Sequence, residues 1–163
     1  MSNIEKHSKS AARMAAVQAL YQMETAQSGV EKIIDDFTQY WLCDISHEKD
    51  DEGAAPANLH YADQDFFAKL VRGVVDAQDR IDPYLERQLA KGWTLGRIDA
   101  TARAILRTGL FELIRLPDIP AKVVIDEYIE LTHAFFDGEE PKFVNGVLDA
   151  AAHEARRDEL MVE

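Results

Sequence analysis

The chain has 163 residues, of which 47% are hydrophobic and 29% are charged, and its formal net charge is −12. This is the composition of an ordinary soluble domain with one sizeable core. It excludes a membrane span, because the longest apolar runs are too short, and it argues against non-specific nucleic-acid binding, because an acidic surface repels phosphates. The N-terminus lacks the apolar core of a secretory signal, so we expect a cytoplasmic protein without a membrane partner.

The first part of the chain predicts two helices followed by a loop. Ser8 or Ser10 is suited to cap the first helix, which runs to about Ala26. The second runs from Val30 to Cys43 with an aromatic and aliphatic side. Residues 44–60 are acidic and have no periodicity, so they predict a mobile loop.

Three helices are predicted in the middle of the chain. The third runs from Gln64 to Ala77, with Asp63 as its N-cap, and a separate fourth begins at Asp82-Pro83 and ends near Gly92. The fifth, Arg97 to Leu116, is apolar nearly all round in its second half, which places it at the centre of the core.

The fifth helix carries a single polar stripe, formed by Asp99, Arg103 and Arg107 at intervals of four residues. The acid precedes the bases, an arrangement that permits pairing along a helix surface. We therefore expect this stripe to face water or a partner.

Two further helices complete the predicted fold. The sixth follows Asp118-Ile119-Pro120, and the seventh runs from Glu139 or Glu140 to Arg157. Gly146 in the seventh is expected to allow close approach of a neighbouring helix. No segment alternates convincingly as a strand, so the pattern predicts an all-α domain.

No catalytic, metal or cofactor site is expected. The sequence contains no glycine-rich phosphate loop and no serine nucleophile elbow, and its single cysteine, Cys43, reads as an inert packed thiol. Glu130 and His133 have the spacing of two metal ligands on a helix, but a di-iron site needs a second such pair, so a solvated helix face is favoured.

Two cation–aromatic pairings suit RNA better than catalysis. Arg13 and Tyr21 are eight residues apart, which places them about 80° apart around a helix. Lys142 and Phe143 repeat the pairing at the start of the seventh helix, and aromatic stacking is a common means of holding single-stranded RNA. From spacing alone, the alternative that Tyr21 and Phe143 are core residues is favoured.

Several short motifs, in their order along nearly the whole chain, resemble the NusB family of transcription antitermination factors. They are AARMAAVQALY at 11–21, LVRGV at 70–74, WTLGRI at 93–98, RAILR at 103–107, DIP at 118–120 and KFVNGVLD at 142–149. Each is weak alone, but KFVNGVLD together with RAILR and AVQALY is a specific combination.

The resemblance implies a noncatalytic all-α protein with about seven helices in two packed bundles, here forming one compact domain over residues 1–163. NusB-like proteins bind the boxA element of ribosomal RNA leaders together with NusE, a small-subunit ribosomal protein, and help RNA polymerase read through terminators. By resemblance, the RNA face would comprise six residues, whereas the NusE face would involve the fourth and fifth helices without assignable residues. The six are Lys9, Ser10, Arg13, Tyr21, Lys142 and Phe143.

The chain departs from the family pattern where an arginine cluster often precedes AVQALY, because residues 9–13 here read KSAAR. We therefore expect RNA affinity to depend on NusE. Two alternatives stay open: the N-terminal domain of a ribosomal RNA cytosine methyltransferase, which requires a methyl-donor domain downstream, and a helical homodimeric interaction module without direct RNA binding. RNA binding at moderate salt distinguishes an RNA-binding antitermination factor from the homodimeric interaction module.

Overall fold

The structure is a computed structural model that describes residues 3–40 and 62–157, so Cys43 and the predicted loop 44–60 lie outside the described residues. The described part contains no strand, and the predicted all-α class is confirmed. Its six α-helices and one 3-10 turn are α1 (Asn3–Ala26), α2 (Val30–Tyr40), α3 (Gln64–Gln88), the turn Leu95–Arg97, α4 (Ala100–Arg115), α5 (Ala121–Phe135) and α6 (Glu140–Ala155). Within those two ranges, no helix combines the length and apolar character needed to cross a bilayer.

The third and fourth predicted helices are a single helix, α3, so the described residues contain six helices rather than seven. Pro83 lies inside α3, where a proline forfeits one backbone hydrogen bond. The buried Ala77, Ile81 and Leu85 continue one apolar stripe past the expected break. Packing of that stripe outweighs the local start signal of Asp82-Pro83.

The start of α1 also differs from the prediction. The helix begins at Asn3, before either serine, and the Ser10 hydroxyl donates to the Lys6 carbonyl oxygen at 3.0 Å within the helix. Neither serine is therefore the N-cap. The helix ends at Ala26, as predicted, and Gln27 takes a left-handed conformation with φ of 54°.

The chain divides into two compact units, Met1–Arg72 and Gly73–Glu163, with the boundary inside α3. The single domain over 1–163 stays a prediction. In the first unit, α1 presents a row of fully buried alanines, and the rings of Phe37 and Phe67 stack with centroids 5.6 Å apart. Asp63 caps α3 by accepting from the Phe66 N–H at 2.9 Å, which confirms its predicted role.

In the second unit, α4 is the central helix and is buried along most of its length. The predicted exposure of its polar stripe holds for Asp99, which is exposed and caps the helix, but it is wrong for Arg103 and Arg107. Arg103 is buried and donates to the carbonyl oxygens of Leu95 and Ile98 at 2.9 and 2.7 Å, and Arg107 forms a half-buried bidentate pair with Asp82 at 2.9 Å for both bonds. The hydrogen-bond partners of Arg103 and Arg107 therefore come from neighbouring elements of the protein and not from water.

A second buried guanidinium, that of Arg156, binds carbonyl oxygens at the C-terminal end of α4. Arg156, at the end of α6, donates to four carbonyl oxygens, and these belong to Glu112, Leu113, Leu116 and Ile119. The carbonyl oxygens of Glu112 and Leu116 also accept from the N–H groups of Leu116 and Ile119, so Arg156 adds a second donor to these two. It supplies a charged donor to the carbonyl oxygens of Leu113 and Ile119 as well, and thereby ties the C-terminal end of α4 to the turn that follows.

The glycines that permit close helix packing in this unit include Gly73 and Gly109, but not Gly146. A Cβ at Gly109 would lie 3.0 Å from Leu148 Cδ1, whereas a Cβ at Gly146 would meet nothing within 4 Å. The expected close approach at Gly146 is therefore wrong, because this part of α6 faces open space.

Candidate nucleic-acid interface

Two of the predicted RNA-binding residues meet at one aromatic ring in the first unit. Lys9 and Arg13 are one turn apart on α1, and Lys9 Nζ lies 4.4 Å and Arg13 Cζ 5.2 Å from the centroid of the Phe66 ring. Phe66 stands in the first turn of α3, which is tied to α1 by a 3.1 Å hydrogen bond from Asp63 N–H to the Ser8 carbonyl oxygen. The start of α3 therefore fixes the ring beneath both cations.

Phe66 belongs to this arrangement although sequence periodicity does not single it out. Its spacing is that of an ordinary core residue, and it is buried. The available signal was its place three residues after the Asp63 cap, in the first turn of the helix. Spacing alone cannot identify α1 as that neighbour.

Arg13 itself is only 3% exposed, whereas Lys9 and Ser10 are half-buried. Burial of a guanidinium against a ring supports packing more directly than it supports contact with a phosphate. The RNA-binding role of Arg13 stays a prediction.

Tyr21 lies two turns further along α1 and is 43% exposed. Because Arg13 is buried and Tyr21 is exposed, the two do not form one exposed cation–aromatic pair. The alternative that Tyr21 is a core residue is wrong. Its ring is available at the surface of the first unit.

In the second unit, Lys142 and Phe143 occupy the first turn of α6. Lys142 is exposed and the Phe143 ring is 39% exposed, while the flanking Pro141 and Val144 are buried. The buried pair anchors the turn, and the cation and ring between them face outward. Phe143 is therefore not a core residue, and the predicted pairing lies at the surface of this unit.

The predicted partner-binding helices offer unequal surfaces. The predicted fifth helix corresponds to the 3-10 turn and α4, and α4 is largely buried. Exposed surface in this region lies instead between α3 and α4, where Trp93 and Arg97 are exposed. The partner interface itself stays a prediction.

No metal-binding arrangement is found in the described part of the chain. Glu130 and His133 are both exposed on α5, and no group of three or more His, Cys, Asp or Glu side chains is placed to hold an ion within residues 3–40 and 62–157. This agrees with a solvated helix face for Glu130 and His133.

Comparison with known proteins gives a consistent family match. A family model described as the NusB family matches residues 10–153. A transcription antitermination protein NusB from Caulobacter vibrioides is 49% identical over 148 residues, covering 91% of this chain and 94% of that protein. Another from Maricaulis maris is 50% identical over 150 residues, covering 92% and 89%.

Solved structures show the same fold. NusB from T. maritima aligns with a TM-score of 0.71 and 28% identity over 93% of this chain and 95% of that one. A crystal structure of antitermination factors NusB and NusE in complex with dsRNA gives a TM-score of 0.71 at 22% identity, covering 94% and 99%.

Proposed function

The chain belongs to the NusB family, and we propose that it is a noncatalytic transcription antitermination factor of the cytoplasm. It binds boxA-type single-stranded RNA of ribosomal RNA leaders together with a NusE-type ribosomal protein. The resulting complex acts with RNA polymerase to promote read-through of terminators. The names of its relatives support the role in transcription. The solved complex of antitermination factors NusB and NusE with dsRNA supports a NusE-type protein and RNA as partners, and the single-stranded form of the RNA is part of the proposal.

The observation that carries the RNA-binding proposal is the exposure of Phe143. Large aromatic side chains usually lie in the core, and the pair Lys142-Phe143 stands between the buried Pro141 and Val144, yet Phe143 leaves 39% of its surface accessible. An exposed ring beside a lysine supplies a stacking surface for an unpaired base and a charge for the adjoining phosphate. Lys142 and Phe143 therefore form the contact in the second unit.

In the first unit, Lys9, Ser10 and Tyr21 provide the RNA contact, and Arg13 supports it from beneath. Arg13 and Lys9 share the Phe66 ring, so the buried guanidinium holds the ring on which the more exposed ammonium rests. Lys9 then supplies charge to a phosphate, and Tyr21 supplies an exposed ring. We propose that Arg13 acts through this packing.

The test compares two phenylalanines of the second unit with nearly equal exposure, Phe143 at 39% and Phe135 at 37%. RNA affinity is measured by fluorescence anisotropy with a labelled boxA-type leader RNA at moderate salt, in the presence of the NusE-type protein. Phe143→Ala should weaken binding roughly fivefold or more, the loss expected of one base–aromatic stack. Phe135→Ala, which has no neighbouring lysine, should leave it nearly unchanged.

Equal affinity for both variants and the wild type would overturn the assignment of Phe143. Absence of any RNA binding at moderate salt, with or without the ribosomal protein, would favour the alternative of a homodimeric interaction module. Analytical ultracentrifugation of the same samples would then show the dimer directly.

A further inference from the structure

The turn between α3 and α4 carries an exposed tryptophan that the proposed RNA contacts do not use. Trp93 is 51% exposed, and the guanidinium carbon of Arg97 lies 5.0 Å from its ring centroid. Arg97 also donates to the Gly92 carbonyl oxygen at 3.0 Å, so a hydrogen bond and a ring contact together hold the guanidinium beside Trp93. An indole covered on one side by a cation leaves its other surface open.

The turn beneath this ring is held from inside the unit. Arg103 donates to the carbonyl oxygens of Leu95 and Ile98, and the Leu95 N–H donates to a Glu86 carboxylate oxygen at 3.4 Å. Leu95 and Ile98 are themselves buried. Trp93 therefore projects from an ordered support, and a ligand that stacks on it does not have to order the turn first.

Two exposed cations lie close to Trp93 in the sequence of a chain whose net charge is −12. The exposed carboxylates of the same turn are engaged with the backbone, since Glu86 accepts from the Leu95 N–H and Asp99 accepts from the first N–H groups of α4. Lys91 and Arg97 are both exposed, and no carboxylate is recorded as an ion-pair partner of either within the described residues. Arg87, on the last turn of α3, is paired with Glu154 at 3.1 Å. Two cations thus remain beside the ring to attract an anion.

We propose that Trp93, Arg97 and Lys91 form a second stacking site for single-stranded RNA. An unpaired base lies on the open surface of the indole, and Lys91 and Arg97 interact with the adjoining phosphates. The inference rests on the proposed function, since the ligand is the same class of RNA, but it adds a contact that neither Lys142-Phe143 nor the first unit provides.

The surroundings of Trp93 favour RNA over a protein partner. A protein hot spot is an aromatic that becomes buried in the complex and is ringed there by further packed contacts. The neighbours of Trp93 are the exposed Lys91, Gly92, Thr94 and Gly96, which are polar, charged or lack a side chain. This surface offers one ring and two charges, which is what a base and its phosphates require.

The first experiment measures the fluorescence of Trp93. The chain has two tryptophans, so Trp41→Phe leaves Trp93 as the only one, and its fluorescence is followed while the boxA-type leader RNA and the NusE-type protein are added separately and together. Stacking of a base should quench the emission when RNA binds. A change caused by the ribosomal protein alone, with none on adding RNA, would overturn the proposal in favour of a protein site.

The second experiment measures affinity in the full chain by fluorescence anisotropy. Trp93→Ala should weaken RNA binding about fivefold or more, and Trp93→Phe should retain most of the affinity because it keeps an aromatic ring. Lys91→Gln should reduce the slope of log affinity against log salt concentration by about one, a readout that a purely structural role would not alter. Tyr40→Ala is the matched control, since Tyr40 is 70% exposed but follows the acidic residues of α2.

The two proposals fail differently. If Phe143→Ala weakens RNA binding but Trp93 shows neither quenching nor an affinity loss on substitution, the second site is wrong and the proposed function stands. If no RNA binds under any condition, both are wrong.

Discussion

The two units of the molecule stabilise their buried arginines in opposite ways. In the first unit, Arg13 lies against the ring of Phe66 and shares it with Lys9. In the second unit, Arg156 donates to four main-chain carbonyl oxygens, and Arg103 donates to two. The first arrangement joins side chains of two helices, whereas the second fixes the backbone at helix ends.

This difference indicates separate roles for the two kinds of cation. A carbonyl-bound guanidinium joins several backbone segments through bonds from one charged donor, so its removal breaks several such bonds at once. Arg13 contacts a ring that also carries the half-buried Lys9, so this contact lies next to a cation that a ligand can reach. The second unit therefore uses its buried arginines for stability, and the first unit places its cations where a ligand is proposed to bind.

The largest expected effect is that of Arg156→Ala. Loss of bonds to four carbonyls should lower the free energy of unfolding by about 3 kcal/mol or more, because four bonds from one charged and buried donor are lost together. Urea denaturation followed by circular dichroism measures this. Arg157→Ala, which alters the exposed neighbour, should change stability little; equal losses for the two would remove the distinction between the units.

A smaller loss is expected from Gly73→Ala. A Cβ at Gly73 would overlap the ring of Phe111, and overpacking of this kind costs about 1–3 kcal/mol. Gly146→Ala is the matched change at an open helical position, where alanine should instead stabilise by roughly 0.5–1 kcal/mol. Thermal melting of both variants tests the contrast, and destabilisation by Gly146→Ala would contradict the described packing of α6.

Arg13→Ala and Lys9→Ala each remove one of the two cations from the Phe66 ring. Arg13→Ala should lower the free energy of unfolding by about 1 kcal/mol, because a buried stem and a cation–π contact are lost together. Lys9→Ala should weaken RNA binding with a smaller change in melting temperature. Denaturation and anisotropy on the same preparations would contradict this division if Lys9→Ala lost stability and Arg13→Ala lost only affinity.

The smallest effect concerns the exposed pair of Glu31 and Arg72, whose atoms approach to 2.7 Å. The hydrogen bond from Arg72 lowers the pKa of Glu31. A lowered carboxyl pKa gives stability that is present above the unfolded pKa and is lost as pH falls through the folded pKa. Glu31→Gln should therefore differ slightly from wild type at neutral pH and converge with it in acid, as measured by denaturation across pH; a difference that grows in acid would contradict the pairing.

Most of the fold follows from the sequence because apolar periodicity specifies which residues must be buried. The predicted sixth and seventh helices correspond to α5 and α6, and both begin close to the predicted positions. The break at Asp82-Pro83 is wrong because a local start signal is weaker than the packing of Ile81 and Leu85, which only the assembled fold reveals.

The site is only partly predictable from the sequence. Motif resemblance directs attention to Lys142 and Phe143, which the structure places at the surface of α6. Exposure of an individual arginine is not encoded by spacing: Arg103 and Arg107 have the pattern of a solvated stripe, yet Leu95, Ile98 and Asp82 approach them from other elements. The burial of Arg13 against Phe66 depends on the same kind of long-range contact.

We propose that this acidic chain binds leader RNA together with a NusE-type ribosomal protein. The most direct measurement is titration of a labelled boxA-type RNA with the full chain, with and without the NusE-type protein, at moderate salt. We expect weak binding by the chain alone and much tighter binding by the mixture. Equal affinity in the two titrations, or no binding in either, would contradict it.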